Sequence, residues 1–294
     1  MIPQAQPDST VPAEASRAMD GMRSRTFTRA TVPAGYSKYL LRQVFEPLAE
    51  DLVSRVTLGE GSAVLDVGSG LGPVARLAAA AVGPHGRVVA NDISPAMLAV
   101  AAARPVEPEW APIEYMECPA TAIEAAADSF DVVFCQHSLE FFADRETAMS
   151  EMYRVTRPGG TALMSTWAAE RLDVGVFSAI GKALREIGLS APYPRAFDPD
   201  SYRIAAPELR RMLEMAGFRD VTVAMVDLDG HWDSLDEAAN TVQGTPFGPI
   251  VATMSSEDQQ RFRKTLIGKL GGSADGVTVR TTSNIAVGTK PYRR

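Results

Sequence analysis

Residues 64–73 constrain what this chain folds into more than any other stretch. Val64, Leu65, Asp66 and Val67 form a short run with β-branched members, the pattern of a buried parallel strand. Gly68, Gly70 and Gly72 follow at alternate positions, and Val74 to Ala81 then reads as a helix. A glycine turn between strand and helix lets a ligand meet bare backbone and the helix N-terminus. Pro73 suits the first helical turn, where its missing N–H costs nothing. The dinucleotide pattern G-x-G-x-x-G needs glycine where Pro73 stands, and no Gly-Lys-Ser/Thr follows to cradle a triphosphate. Asp66, at the strand end, repels a pyrophosphate and favours a cation.

The unit repeats with variations. Arg87 to Asn91 is a second buried strand ending in the acid Asp92, and Ser94-Pro95 supplies the N-cap and first position of a helix. Asp92 lies 20 residues beyond Gly72, where acids of nucleotide-binding βαβ units accept hydrogen bonds from ribose hydroxyls. Ile93 beside it offers an adenine an apolar face, and Met97 lies in the same helix start. Ile113–Glu117 and Ser129–Cys135 read as the third and fourth strands, a helix capped by Asp144 follows, and Thr161–Trp167 is the fifth. Alternation at these lengths predicts right-handed crossovers and a doubly wound sheet.

Several of these segments together resemble the class I S-adenosylmethionine-dependent methyltransferases. The resemblance rests on the D-x-G-x-G-x-G turn from Asp66 to Gly72, on Asp128–Val133 and on Glu151–Gly160. The run Cys135 to Arg145 is similar to a subgroup acting on small molecules, many in bacterial secondary metabolism. The match spans about residues 60–168 and implies S-adenosylmethionine as cofactor, with S-adenosylhomocysteine as product. By carry-over, Asp66, Gly68, Ser69, Gly70, Gly72, Asp92, Ile93, Met97, Cys135 and Gln136 are the cofactor-binding set. One position departs from the family. Where members carry a Gly-Asp-Ala-like triplet whose acid touches the adenine amino group, this chain has Cys118-Pro119-Ala120. Adenine recognition is therefore expected from backbone groups near Ala120 and Thr121.

The N-terminal segment has apolar residues at helical intervals from Tyr36 to Val53, and Pro47 predicts a break into two short helices. Beyond Trp167 the alternation gives way to a cap at 169–206 and a C-terminal part at 207–294. The latter holds a sixth strand at Val221–Val226, a last strand within 277–288, and a helical insertion at about 229–275. Ser234 with Glu237, and Ser256 with Gln259, read as capping boxes. Residues 1–30 read as a flexible tail without a signal-peptide apolar stretch, 31–60 as a helical lead-in and 61–168 as the cofactor-binding core.

Size and charge narrow the partners. The 294 residues, 46% hydrophobic and 22% charged, suit one large globular domain with insertions. A net charge of −7 disfavours nucleic acid and anionic membranes as partners, and no apolar run approaches the roughly 18 residues of a span. Cys118 and Cys135 offer no disulfide framework, which suits a cytoplasmic protein, monomer or homodimer. Scattered histidines and cysteines leave no metal-ligand spacing.

Methyl transfer needs a base only when the nucleophile must lose a proton. His137 follows the fourth strand at the ligand-binding edge of the sheet and is the first candidate, with Glu140 the second; each has a purely structural alternative. Tyr36, Trp167, Tyr193, Phe197, His231 and Trp232 fall in segments expected to roof the cleft, a lining suited to a flat or apolar small molecule. The expectation is a doubly wound, seven-stranded mixed α/β sheet with a helical lid. The expected activity is methylation of an apolar bacterial metabolite, with oxygen favoured over carbon or nitrogen. A cyclase or rearrangement enzyme of the same fold, or a non-catalytic cofactor-binding protein, are the alternatives.

Overall fold

The computed structural model describes residues 31–171, 175–188, 203–271 and 276–292. Its centre is an eight-stranded sheet in the order β3-β2-β1-β4-β5-β8-β7, with β6 alongside β5. The strands are β1 (Ala63–Val67), β2 (Arg87–Asp92), β3 (Ile113–Glu117), β4 (Phe130–Gln136), β5 (Thr156–Ala168), β6 (Arg203–Ile204), β7 (Arg219–Trp232) and β8 (Val277–Thr289). All pairings are parallel except β5 with β8 and β7 with β8. The strand order reverses between β1 and β4, so the crevice at their carboxyl ends is where an open α/β sheet takes its ligand.

The helices are α1 (Thr31–Tyr36), α2 (Glu46–Ser54), α3 (Pro73–Val82), α4 (Pro95–Ala102), α5 (Arg145–Val155), α6 (Val176–Glu186), α7 (Ala206–Ala216), α8 (Leu235–Asn240), α9 (Gly248–Val251) and α10 (Ser256–Leu270). Ser94 caps α4 by accepting the Met97 N–H, Asp144 caps α5 through Thr147, and Ser234 caps α8 through Glu237. One cap moves: Ser255, not Ser256, accepts the Asp258 N–H at 3.1 Å and opens α10. Among the described residues no helix is long and apolar enough to cross a membrane.

Three departures from the sequence expectation have physical causes. Pro47 does not split the N-terminal segment. Ser37–Phe45 runs as a π-helix between α1 and α2, the Glu46 N–H reaches Leu41 O five residues back, and Pro47 falls in the first turn of α2, where a missing N–H is tolerated. The expected seven strands gain a two-residue eighth. β4 pairs β5 only as far as Gln136 with Ser165, and β6 takes the edge left open at Trp167 and Ala168. Finally, β7 continues to Trp232, so the helical insertion begins after it and not at 229. This outer part of β7 carries charge and lacks an apolar run, but cross-strand pairs to β8 hold it: Arg280 Nε to Asp229 Oδ1 at 2.9 Å and Thr282 Oγ1 to Asp227 Oδ1 at 2.6 Å.

The core has three parts. Leu65, Phe130, Val133, Met152, Leu213 and Phe218 fill the space between the sheet and α5 with α7. Val64, Leu52, Val74, Ala78, Val88 and Phe134 fill the other face under α2 and α3. A third cluster joins the π-helix to the lid through Leu40, Val44, Trp167, Ile180, Trp232 and Phe262. This third cluster roofs the crevice.

Candidate active site

The turn after β1 shapes the floor of the crevice. Gly68, Gly70 and Gly72 all have positive φ, at 66°, 55° and 72°. Gly68 is needed for space as well, because a Cβ there would lie 2.5 Å from the Ser138 Cβ. Gly70 is different: nothing lies within 4 Å of where its Cβ would be, so its backbone is bare to the crevice. Its N–H is held by Asp92 Oδ2 at 2.8 Å, while Asp92 Oδ1 accepts the Ser94 N–H at 2.8 Å.

Asp66 is buried at the end of β1, and its Oδ2 accepts the Ala75 N–H at 3.1 Å. Its Oδ1 has no hydrogen-bond partner, nor do the buried Ser69 Oγ and Gln136 Oε1 on the same cavity wall. Burial pushes the Asp66 carboxyl up to about 7, with the Asp92 charge adding to it against the Ala75 hydrogen bond. Burial raises Asp92 too, opposed by the Ser94 and Gly70 N–H bonds. Buried acceptors left open beside two acids amount to a donor-poor, negative floor. This fits a ligand that brings an ammonium and hydroxyl donors.

Above the floor a cavity of about 210 Å³ changes character along its length. One end is lined by Ile93, Met97, Cys118, Pro119, Ala120 and Thr121, an apolar slot with backbone polar groups. Asn91 fixes this slot by donating from its amide to Met116 O at 3.2 Å and Cys118 O at 2.8 Å. The other end is aromatic. Tyr36 stacks on Phe45 with centroids 4.6 Å apart, Phe45 meets Trp167 edge-on at 6.2 Å, and Trp167 tilts against Phe177 at 5.1 Å. Gln136 ties the two ends together by donating to Phe45 O at 2.9 Å.

His137 sits where the ends join. Its φ is +46°, its N–H donates to Ser165 O at 2.9 Å, and its ring stacks on Trp167 with centroids 3.9 Å apart. Nε2 lies 3.1 Å from Ser283 Oγ, and Nδ1 lies 3.5 Å from Glu140 Oε1.

The crevice gathers most of the residues expected from the sequence. Asp66, Gly68, Ser69, Gly70, Asp92, Ile93, Met97, Ala120, Thr121, Gln136, His137, Tyr36 and Trp167 all line it. Five do not. Gly72 stands behind the turn as the N-cap of α3. Cys135 points into the core on the face packed by α5, since successive strand residues alternate and Gln136 faces the crevice. Glu140 is fully buried behind Trp167, where its Oε1 accepts the Trp167 N–H at 2.7 Å; it does not reach an acceptor as a base. His231 is exposed on β7 and bonds Thr278 Oγ1 at 3.1 Å, which removes it from the pocket. Trp232 is wholly buried and donates to Tyr39 O at 2.9 Å, a packing role that holds the π-helix. Tyr193 and Phe197 lie outside the described residues. Sequence reasoning did not single out Phe45, Phe142, Phe177 and Arg203, which also line the cavity. Period-3.6 patterning marked Phe177 as apolar but not which apolar surface it serves.

Comparison with known proteins agrees with this geometry. The methyltransferase domain family matches residues 65–164. A Mycobacterium tuberculosis protein of unassigned function is 34% identical over 142 residues, 48% of this chain and 50% of that one; the chain thus spans about half the length of this relative. The ubiquinone/menaquinone biosynthesis C-methyltransferase UbiE of Xylella fastidiosa is 30% identical over 176 residues, 56% of this chain and 69% of that protein. In fold, the chain is similar to Haemonchus contortus phosphoethanolamine N-methyltransferase 2 in complex with S-adenosyl-L-methionine, at a TM-score of 0.60 and 22% identity over 93% of this chain and 60% of that one. The glycine turn, the acid at the end of β2 and these relatives agree: the chain belongs to the class I S-adenosylmethionine-dependent methyltransferases.

Proposed function

We propose that this chain transfers the methyl group of S-adenosylmethionine to an apolar, flat small molecule, with oxygen as the accepting atom. The observation that carries the reading is one continuous cavity, with acids and bare glycine backbone at one end and stacked aromatics at the other. When bound, the cofactor supplies a methyl group already activated on a sulfonium.

The chain's own residues bind, orient and exclude water. Asp66 Oδ1 and Gln136 Oε1, both without partners, would accept from the ammonium group. Asp92 would hold the ribose hydroxyls with the lone pairs that Gly70 and Ser94 leave free. The slot of Ile93, Met97 and Pro119 would take the adenine. Ring faces of Tyr36, Phe45 and Trp167 attract positive charge and orient a flat acceptor. The lid residues Gly244, Pro246 and Phe247 close the cavity from above and keep water from the reacting atoms.

The test uses methyl-labelled S-adenosylmethionine with a panel of phenols, enols, electron-rich carbon acceptors and amines, read by product mass. Label on the oxygen of a phenol or enol supports the reading, and label only on carbon or nitrogen overturns the oxygen assignment. Binding of the cofactor with label in no product of the panel overturns it.

A further inference from the structure

Gln136 stands at the end of β4 with its amide between the two ends of the cavity. Its Nε2 donates to Phe45 O at 2.9 Å, across 91 residues of chain, and its Oε1 is buried with no hydrogen-bond partner. A carbonyl oxygen accepts and cannot donate, so the amide nitrogen must face Phe45 and the amide oxygen must face the other way. On that other side lies the floor, where Asp66 Oδ1 is likewise without a partner. We propose that Gln136 is a positioning residue that couples the amino group of the bound cofactor to closure of the aromatic end, so that the acceptor site is completed after the cofactor has bound. This rests on the cofactor placement proposed above.

The segment that Gln136 holds is suited to respond. Ser37–Phe45 is a π-helix, a rare form that recurs at functional sites. It carries Leu40 and Phe45 into the cavity, and Tyr36, just before it, stacks on Phe45. Phe45 in turn meets the rings of His137 and Trp167 edge-on, each with centroids 6.2 Å apart. Two side-chain donors from distant strands moor this segment. Trp232 Nε1 donates to Tyr39 O at 2.9 Å from the end of β7, and Gln136 Nε2 donates to Phe45 O. Trp232 is wholly buried away from the cavity; of the two, Gln136 alone lines it.

The register of the sheet brings the two open acceptors together. Asp66 of β1 pairs with Phe134 of β4, and Gln136 lies two residues further along the same face. Two buried oxygens left open on one wall are each destabilising, and a carboxylate charge beside the amide oxygen disfavours the orientation that reaches Phe45 O. An ammonium carries three donors and serves both oxygens at once. With it in place the amide is pinned in the orientation that donates to Phe45, and its N–H is polarised into a stronger donor. The coupling is reciprocal: a roof held closed raises affinity for the cofactor by the same factor by which the cofactor favours closure.

Hydrogen exchange, read by mass spectrometry on peptides covering residues 36–45 of the full chain, tests this without any acceptor. S-adenosylhomocysteine carries the amino group; methylthioadenosine has the same nucleoside end and lacks it. At saturation S-adenosylhomocysteine is expected to slow exchange in this segment by about fivefold or more, and methylthioadenosine by less than about twofold. Gln136→Met keeps the volume and removes both amide functions. It is expected to bind S-adenosylhomocysteine about three- to tenfold more weakly and, once saturated, to show no gain in protection over residues 36–45. A purely structural glutamine would instead lower protection equally with and without ligand. A gain that survives in Gln136→Met, or equal gains from the two ligands in wild type, overturns the proposal; the wild-type comparison decides alone if the variant does not fold. Failure of wild type to bind S-adenosylhomocysteine overturns the cofactor placement instead, so the two failures are distinguishable.

Discussion

Gly35 of α1 and Gly244 of the lid touch backbone to backbone. A Cβ on Gly35 would lie 2.5 Å from the Gln243 carbonyl carbon, and a Cβ on Gly244 would lie 2.5 Å from Tyr36 N. This contact is where the lid docks on the segment that carries Tyr36, Leu40 and Phe45 into the cavity. Neither glycine has a positive φ, so the requirement is close approach and not conformation.

Gly244→Ala is therefore expected to force the lid away from the N-terminal helix. Overpacking of this kind costs about 1–3 kcal/mol. Urea unfolding measures the loss, and calorimetry should show weaker S-adenosylmethionine binding, because the roof of the cavity shifts with the lid. Equal stability and equal affinity would show that the lid docks elsewhere.

Asp92→Ala removes the acceptor for the Gly70 N–H and, in the binding mode proposed above, for ribose hydroxyls. Loss of charge-assisted hydrogen bonds is worth about 1.5–3 kcal/mol, or roughly 10- to 150-fold in Kd. Calorimetric titration with S-adenosylmethionine checks this, and unchanged affinity would mean that the acid at the end of β2 does not contact the cofactor.

Asp66 predicts a pH dependence with a definite sign. Its carboxyl titrates near 7 in the folded chain, and a bound ammonium favours the charged form. Cofactor affinity is expected to fall as pH drops below about 7, approaching tenfold per pH unit, and Asp66→Asn should bind weakly with a flat profile.

The same shift acts oppositely on the ligand-free protein. A folded-state value raised above the unfolded one costs stability, and the cost grows from about pH 4 to about pH 7 and then stays. Asp66→Asn should thus melt at least about 2 °C higher than wild type at pH 8, the gap closing towards pH 4. A lower melting point at pH 8 would contradict the assignment.

Trp232→Phe keeps most of the packing but leaves the buried Tyr39 carbonyl without its 2.9 Å donor. Loss of this hydrogen bond costs about 0.5–1.5 kcal/mol. The loss should appear in denaturant midpoint, with hydrogen exchange quickening in the π-helix that Tyr39 belongs to. Unaltered protection there would mean that other contacts hold the π-helix.

Short-range chemistry was legible throughout. The glycine turn, Pro73, the caps at Ser94, Asp144 and Ser234, and the acids at the ends of β1 and β2 are each read within a few residues. Physical demands there are local: a left-handed φ, an orphan N–H, a strand that must be buried on both faces. Misreadings arose where the sequence signal was local but the deciding partner was not. Ser255 and Ser256 both read as caps in sequence, and in the fold Ser255 keeps the non-helical ψ of 154° and accepts the Asp258 N–H. His231 and Trp232 are neighbours on β7, and strand alternation sends one to solvent and the other into the core once pairing with β8 fixes the register.

By itself the sequence determined the doubly wound core from β1 to β5, the turn with Asp66 and Asp92, and with them the cofactor class. Each of these follows from periodicity, glycine placement and charge along a single stretch. Only the tertiary structure decided that Phe45 and Phe177 face the cavity, that Glu140 lies behind the wall, and that Ser283 meets His137 across 146 residues of chain. These contacts join β8, the π-helix and the lid, so the apolar or polar pattern of any one segment is satisfied equally well by several neighbours. Packing of the assembled layers selects among them.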